Sequence, residues 1–220
     1  MEFSEWRIYY EEILKDFGFS REKDEEAARL LAHLLKDREP PTDALDALLR
    51  GRSVTVAGNA PDLADHLGEG EGVWIAADEA SSVLKDHGRF PAVIVTDLDG
   101  IIPEQIALNR QGAIVVIHAH GDNIPALRRW VPDFSGPVLG TAQCKPPDGL
   151  FNFGGFTDGD RAVFLAHHFE ALEIHLRGFD FENVNPKEED PARKARKLDW
   201  AYLLIMGLDD PRIRFEPSSS

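Results

Sequence analysis

The chain has 220 residues, 43% of them hydrophobic and 29% charged, with 24 Lys and Arg against 39 Asp and Glu and a formal charge of −15 at pH 7. That composition supports one large domain with a real core and excludes a disordered, collagen-like or disulfide-scaffold chain; the single cysteine, Cys144, closes no internal disulfide and fits a reducing, cytoplasmic setting. So acidic a surface repels nucleic acid and anionic membranes, no stretch reaches the roughly 18 apolar residues of a membrane span, and the acidic, aromatic start lacks the basic and apolar regions of a signal peptide.

Residues 1–50 read as a helical cap. Trp6, Ile8 to Tyr10, Ile13, Leu14 and Phe17 recur at helical spacing, and Gly18 stops the run. Ser20 reads as the N-cap of a second helix with Ala27, Leu30, Leu31, Leu34 and Leu35 as its apolar stripe. Pro40 and Pro41 break it, and Thr42 begins a third helix through Leu49. Trp6 and Tyr9 of this cap either join a core or offer a surface for a homodimer.

From Ser53 the texture changes. SVTVAG, GVWIAAD, PAVIVTDLDG, GAIVVIHAHGDN and GPVLGTAQ each read as a buried strand running into a polar loop, separated by helix-length segments. That alternation predicts an α/β fold, a mostly parallel sheet with helices on both faces. Ala162 to Ala171 reads as a helix, ALEIHLRGFDF as a late strand, Pro191 to Gly207 as a long helix and PRIRFEP as a last short strand. The predicted division is a cap over 1–50, an α/β domain over 51–217 and a frayed tail over 218–220.

Ligands of open parallel sheets bind beyond the carboxyl ends of the strands. Here those ends carry Asp78, then Asp97 and Asp99, then His118, His120, Asp122 and Asn123. One such acid alone is as readily a cap or turn former. Four of them on one rim point to a shared site for a hard cation, and Mg²⁺ suits carboxylate oxygens. In TDLDG, Gly100 is expected to let the chain turn so that Asp97 and Asp99 face one ion. The His118-x-His120 pair has a spacing that a transition metal could use, but it is better read as touching phosphate or orienting Asp122.

No GxxxxGK[ST] is present, which excludes a P-loop NTPase. The GEGEG segment at Gly68 to Gly72 reads as an acidic turn. Gly58 and Asn59, in the turn after the first strand, either present backbone N–H groups to a nucleotide or form a plain tight turn. NFGGFTDGDRA, from Asn152 to Ala162, concentrates Gly, Asp and Arg beside Phe153 and Phe156 more densely than a helix start requires, which points to substrate or phosphate. Asp158 or Asp160 would cap the helix that follows. Lys145, Lys187, Lys194, Lys197, Arg128, Arg161 and Arg193 are the candidates to neutralise phosphate.

Taken in order, AAD (76–78), TDLDG (96–100), HAHGDN (118–123), GTAQ (140–143), NFGGFTDGDRA, GFDF (178–181) and KARKLDWA (194–201) resemble the archaeal 6-hydroxymethyl-7,8-dihydropterin pyrophosphokinase family. The likeness covers roughly residues 50–207. The acidic motifs are more distantly similar to those of thiamin pyrophosphokinases, so the resemblance implies a Rossmann-like catalytic domain of that type. It implies transfer of diphosphate from ATP to the hydroxymethyl group of the reduced pterin, with Mg²⁺ and release of AMP, in tetrahydromethanopterin or folate synthesis. Asp97, Asp99 and Asp122 would then be catalytic and, with Asp78, would hold metal. Asn123, Gln143, Asp160 and Arg161 would contact nucleotide or phosphate. A pterin pocket would draw on Asn152, Phe153, Phe156 and Gln143, with core packing as the alternative for the two Phe. Asp62 would oppose a triphosphate unless it points away. A diphosphokinase for another small alcohol such as thiamin, or a nucleotide-binding module tied to surface glycosylation, are the competing readings.

Overall fold

Successive residues of a strand face opposite sides, so the apolar runs divide their side chains between two layers. Val54 and Val56, Val73 and Ile75, Val93 and Val95, Ile114 and Val116 face one core; Ile94, Val115, Ile117 and Ala119 face the other. The computed structural model describes residues 1–68, 72–184 and 190–215. Among these residues the sheet has seven strands: β1 (Ser53–Ala57), β2 (Val73–Ala77), β3 (Val93–Thr96), β4 (Ile114–Ala119), β5 (Val138–Ala142), β6 (Glu173–Arg177) and β7 (Ile213–Phe215). All pairings are parallel, in the order β5-β4-β3-β2-β1-β6-β7. The predicted parallel α/β architecture therefore stands, with every expected strand in place.

The order reverses at β1. The chain steps outward from β1 to β5, then crosses back to set β6 on the other side of β1. Gly58 N–H donates to Arg177 O at 2.8 Å and Ala60 N–H to Gly178 O at 3.0 Å, so the loops after β1 and β6 leave the sheet side by side. Such a reversal opens a crevice at the carboxyl ends of the strands.

Among the described residues eight helices cover the sheet: α1 (Phe3–Phe17), α2 (Arg21–Leu35), α3 (Thr42–Leu49), α4 (Ala80–Asp86), α5 (Ile102–Arg110), α6 (Ile124–Trp130), α7 (Asp158–His168) and α8 (Pro191–Gly207). Gly18 ends α1 in the left-handed conformation at φ 66°, and Ser20 caps α2 by accepting from the Lys23 N–H. The helix expected from Ala162 starts earlier, at Asp158, because Thr157 and Asp160 form a capping box.

The first three helices are divided between the layers. α1 and α2 pack with β3–β5, while Leu45 and Leu49 of α3 join the opposite core with β1 and β2. Trp6 is wholly buried and donates from its indole N–H to Gln143 O at 2.8 Å, so this aromatic is core rather than docking surface. Residues 69–71 of the expected acidic turn and Ser218 to Ser220 lie outside the described residues. Among those described, no helix is long and apolar enough to cross a membrane.

The far end of the sheet is pinned by a polar lock. Asp210 accepts from Arg212 Nε and Nη2 at 2.9 and 2.7 Å and meets His167 Nδ1 at 2.6 Å, while Arg212 Nη1 donates to Ala171 O. The Arg212 hydrogen bonds, helped by His167, hold the Asp210 carboxyl well below the usual carboxylate range. A depressed folded value stabilises the fold above the unfolded pKa of about 3.9 and loses that contribution as pH falls. Asp210→Asn should therefore lower the melting temperature at pH 7, and the gap to the parent should narrow below about pH 4. Scanning calorimetry across that range checks it; a gap unchanged down to about pH 3 would refute the lock.

Candidate active site

A cavity of about 530 Å³ fills the crevice at the reversal, within the usual size of a small-molecule site. The β1 loop contributes Gly58, Asn59, Ala60 and Pro61; the β2 and β3 ends contribute Asp78, Glu79, Asp97 and Asp99. The start of α7 adds Phe156, Asp158, Gly159 and Arg161, and the β6 loop adds Phe179, Asp180 and Phe181. From α8 come Arg193, Lys194 and Lys197. The strand ends thus make one wall acidic, and the helical side carries the bases Arg161, Arg193, Lys194 and Lys197 with Asp158 and Asp190 among them.

Asp78 sits in the left-handed region at φ 46°, which swings its carboxylate back across the sheet end. Its Oδ1 accepts from Thr96 Oγ1 at 2.7 Å and Gln105 Nε2 at 2.9 Å. Its Oδ2 lies so close to Gly100 that a Cβ there would overlap it. Gly100 has no positive φ, so TDLDG uses its glycine for room, not for the sharp turn expected of it; Leu98, at φ 70°, makes the turn.

Asp97 Oδ2 lies 3.3 Å from His120 Nε2, and its Oδ1 is buried with no hydrogen-bond partner among the described residues. Asp158 Oδ1 is likewise buried and accepts no hydrogen bond among the described residues. Arg161 is almost fully buried, 3.9 Å from Asp158; among the described residues its guanidinium makes one hydrogen bond, to Gln143 Oε1 at 3.3 Å. Gly155, at φ 88°, lets the preceding loop approach the Arg161 backbone, where a Cβ would meet it at 2.7 Å.

Crowding these acids divides their proton affinities. Burial pushes Asp97 up, but the His120 hydrogen bond and charge and the bond with Asp99 outweigh it and hold the carboxyl at about 2. Enclosure, the Asp97 carboxylate and Asp78 push Asp99 up to about 7, with Lys197 opposing. Burial drives Asp158 well above the usual range, with Asp97, Asp78 and Asp99 adding to it and Arg161 opposing; burial also raises Asp78. Like charges that cannot all ionise share their protons unevenly.

The expected residues fall into two groups. Asp78, Asp97, Asp99, Arg161, Gly58, Asn59 and Phe156 line the cavity, together with Lys194, Lys197 and Arg193. Asp122 does not: it is exposed on the β4–α6 loop, and the fourth acid beside the cluster is Asp158. His120 touches Asp122 only by accepting its backbone N–H at 3.3 Å and turns its other nitrogen to Asp97. His118 is buried against Thr141 at 3.1 Å. Lys145 and Arg128 are exposed elsewhere, and Lys187 lies outside the described residues. Asp62 pairs with His66 at 3.3 Å and is not on the cavity wall.

Several expected contacts brace the site from behind. Asn123 donates to Asp97 O and His118 O, both at 2.7 Å. Asn152 donates to Ala142 O at 2.6 Å and accepts from Gly154 N–H. Asp160 is fully buried and spends its oxygens on Phe156 N–H, Thr157 N–H and the Thr157 hydroxyl. Phe153 stacks on Phe151 and packs against His168 and Phe169 in the core. Gln143 is buried between Asp24 and Arg161. Sequence reasoning missed Phe179 and Glu79 as wall residues; GFDF and the acid after AAD were the available signals.

The raised Asp99 value carries a sign. Because the folded state binds this proton more tightly than the unfolded chain, stability contributed by the protonated form is lost as pH rises from about 4 to about 7. Asp99→Asn removes that titration and can still donate to Asp97. Its melting temperature in chelator should exceed the parent's by a margin that widens over that interval and then levels. A margin independent of pH would contradict the crowding.

Comparison with known proteins places the chain. It is 43% identical to the 6-hydroxymethyl-7,8-dihydropterin pyrophosphokinase of Pyrococcus furiosus over 93% of each chain. It is 43% identical to the enzyme of that name from Methanothermobacter thermautotrophicus, over 95% of this chain and 96% of that one. The Methanocaldococcus jannaschii protein of the same name is 36% identical over 96% and 97%. Among solved structures, the MAf glycosyltransferase of Magnetospirillum magneticum AMB-1 aligns with a TM-score of 0.47 at 16% identity, over 78% of this chain and 34% of that one, so the chain spans about a third of its length. The model of the MptE-like family, described as 6-hydroxymethylpterin diphosphokinase, matches residues 27–186, and the chain belongs to that family.

Proposed function

We propose that this chain transfers the diphosphoryl group of ATP to the hydroxymethyl oxygen of 6-hydroxymethyl-7,8-dihydropterin, releasing AMP, with Mg²⁺ bound at the acidic wall. One observation carries the reading: a single cavity at the strand reversal places crowded carboxylates opposite Arg161, Arg193, Lys194 and Lys197. Phosphoryl-type transfer needs that pairing, because catalysis rests on positioning and charge neutralisation. The names of the relatives supply the acceptor alcohol.

The donor set fits Mg²⁺. Among the described residues no three His, Cys, Asp or Glu side chains form a ready-made metal cage. Mg²⁺ requires none, since it keeps several waters and is held by one or two carboxylates together with substrate phosphates. Asp97 and Asp158 each hold a buried oxygen that accepts no hydrogen bond among the described residues, and Asp78 keeps Oδ2 beside Gly100. Asp78, Asp97 and Asp99 would hold the ion, with Asp158 alongside. When bound, Mg²⁺ neutralises charge on the phosphate oxygens.

The protein does the rest. Arg161 donates to the transferred group from a buried position where water competes poorly. Lys194 and Lys197 face the same space from α8. The pterin hydroxyl oxygen attacks the β-phosphorus, the bond from that phosphorus to the α-phosphate bridging oxygen breaks, and AMP leaves with that oxygen. The hydroxyl proton passes to a carboxylate of the wall that the ion does not engage. Phe156 and Phe179 offer apolar wall to a flat ring.

The test supplies purified protein with ATP, Mg²⁺ and the reduced pterin alcohol, with thiamin as the control acceptor. AMP formed only with the pterin supports the reading; ADP, or AMP formed equally with thiamin, rejects it. Asp97→Ala/Asp99→Ala should abolish Mg²⁺-dependent ATP binding in calorimetry while remaining folded, and unchanged binding would remove the acidic wall from the mechanism. Arg161→Ala should lower kcat/KM by about a hundredfold or more, the scale on which a charge-assisted hydrogen bond acts in a dry site.

A further inference from the structure

Asp24 is a carboxylate where a helix covering a core would be expected to place an apolar residue. It lies on α2, is 2% exposed, and precedes the segment that the family model matches. Burying a charge is costly unless it is hydrogen-bonded. Asp24 is fully engaged: Oδ2 accepts from Tyr10 Oη at 2.8 Å and from Gln143 Nε2 at 2.9 Å, and Oδ1 accepts from Gly121 N–H at 2.8 Å. These partners come from α1, the loop after β5 and the loop after β4. Such a network is specific about polarity as well as shape, because an ionised carboxylate only accepts.

That polarity reaches the cavity. Gln143 must turn its NH₂ toward Asp24, so its carbonyl oxygen faces Arg161 Nη2 at 3.3 Å. The reverse orientation would set oxygen against carboxylate on one side and donor against guanidinium on the other. The Gln143 backbone is itself held, its carbonyl accepting from the Trp6 indole and from Asn152 Nδ2. Gln143 Oε1 is the one hydrogen-bond acceptor that the Arg161 guanidinium has among the described residues.

We infer that Asp24 is a positioning residue: through the amide of Gln143 it fixes the Arg161 guanidinium in the orientation that meets the phosphate chain. The inference rests on the proposed contact between Arg161 and the nucleotide. The helices before β1 thereby act in the reaction as well as covering the sheet, and Gln143 serves as a relay rather than as a substrate contact.

Charge relocation tests it. In Asp24→Asn the Gly121 N–H claims the new amide oxygen, leaving NH₂ toward Gln143; the glutamine then flips and turns its own NH₂ on Arg161. This variant, checked for folding by circular dichroism, should lose about tenfold or more in kcat/KM for ATP. Adding Gln143→Glu supplies one carboxylate that accepts both from the amide introduced at position 24 and from Arg161, and the double variant should recover to within about threefold of the parent. The same order should appear in ATP affinity measured by calorimetry with Mg²⁺, which needs no acceptor alcohol. A folded Asp24→Asn protein with parental kinetics, or a loss that Gln143→Glu does not recover, overturns the relay.

If Asp24→Asn does not fold, Gln143→Met carries the comparison. It should reduce kcat/KM in the parent and cost nothing further in Arg161→Ala, whereas equal costs in both backgrounds overturn the relay. Arg161→Ala separates the two ideas. Parental activity in that variant rejects the phosphate contact and the relay with it; impairment there beside a normal Asp24→Asn protein rejects the relay alone.

Discussion

The return of the chain across β1 is the constraint on which the rest of the molecule depends. Had β6 been added beside β5, the strand order would not reverse at β1 and no switch-point crevice would lie there. Because β6 pairs with β1 instead, the loops after these two strands line one cavity with the ends of β2 and β3 and with α7 and α8. The strand ends supply Asp78, Asp97 and Asp99, and the two helices supply Arg161, Arg193, Lys194 and Lys197 together with Asp158, so the topology brings acids and bases to one cavity.

That arrangement makes the site electrostatically expensive. Asp78, Asp97, Asp99 and Asp158 stand close enough to shift one another, and none of them can be relieved by bulk water alone. The fold offsets part of this with Thr96 and Gln105 on Asp78, His120 on Asp97 and Arg161 near Asp158. One buried oxygen of Asp97 and one of Asp158 accept no hydrogen bond among the described residues. Natural proteins tolerate such local conflict where function requires it and compensate elsewhere.

The rest of the protein acts as a brace. Asn123, Asn152 and Asp160 spend their polar atoms on backbone groups that hold the loops after β4 and β5 and the start of α7. The N-terminal helices enter the same network through Trp6, Tyr10 and Asp24. Asp160 and Phe153, which the motif offers as substrate contacts, are instead buried against backbone groups and aromatic rings, off the cavity wall.

Sequence alone determined the elements and the rim. Apolar runs, the Gly18 stop, the Ser20 cap and the acids after β2 and β3 are short-range features, set by backbone hydrogen bonding and side-chain periodicity within a few residues. Family resemblance added the chemistry that those motifs carry. Only the tertiary structure decided which acids meet. Asp122 and Asp158 both follow plausible motifs, but Asp122 rides a loop that opens to solvent, whereas α7 crosses the sheet and delivers Asp158 to the crevice. The same holds for Gly100, required by a carboxylate from another strand, and for Asp24, whose partners lie up to 119 residues away. Contacts between distant segments depend on strand order and on which faces pack, and local pattern carries no record of either.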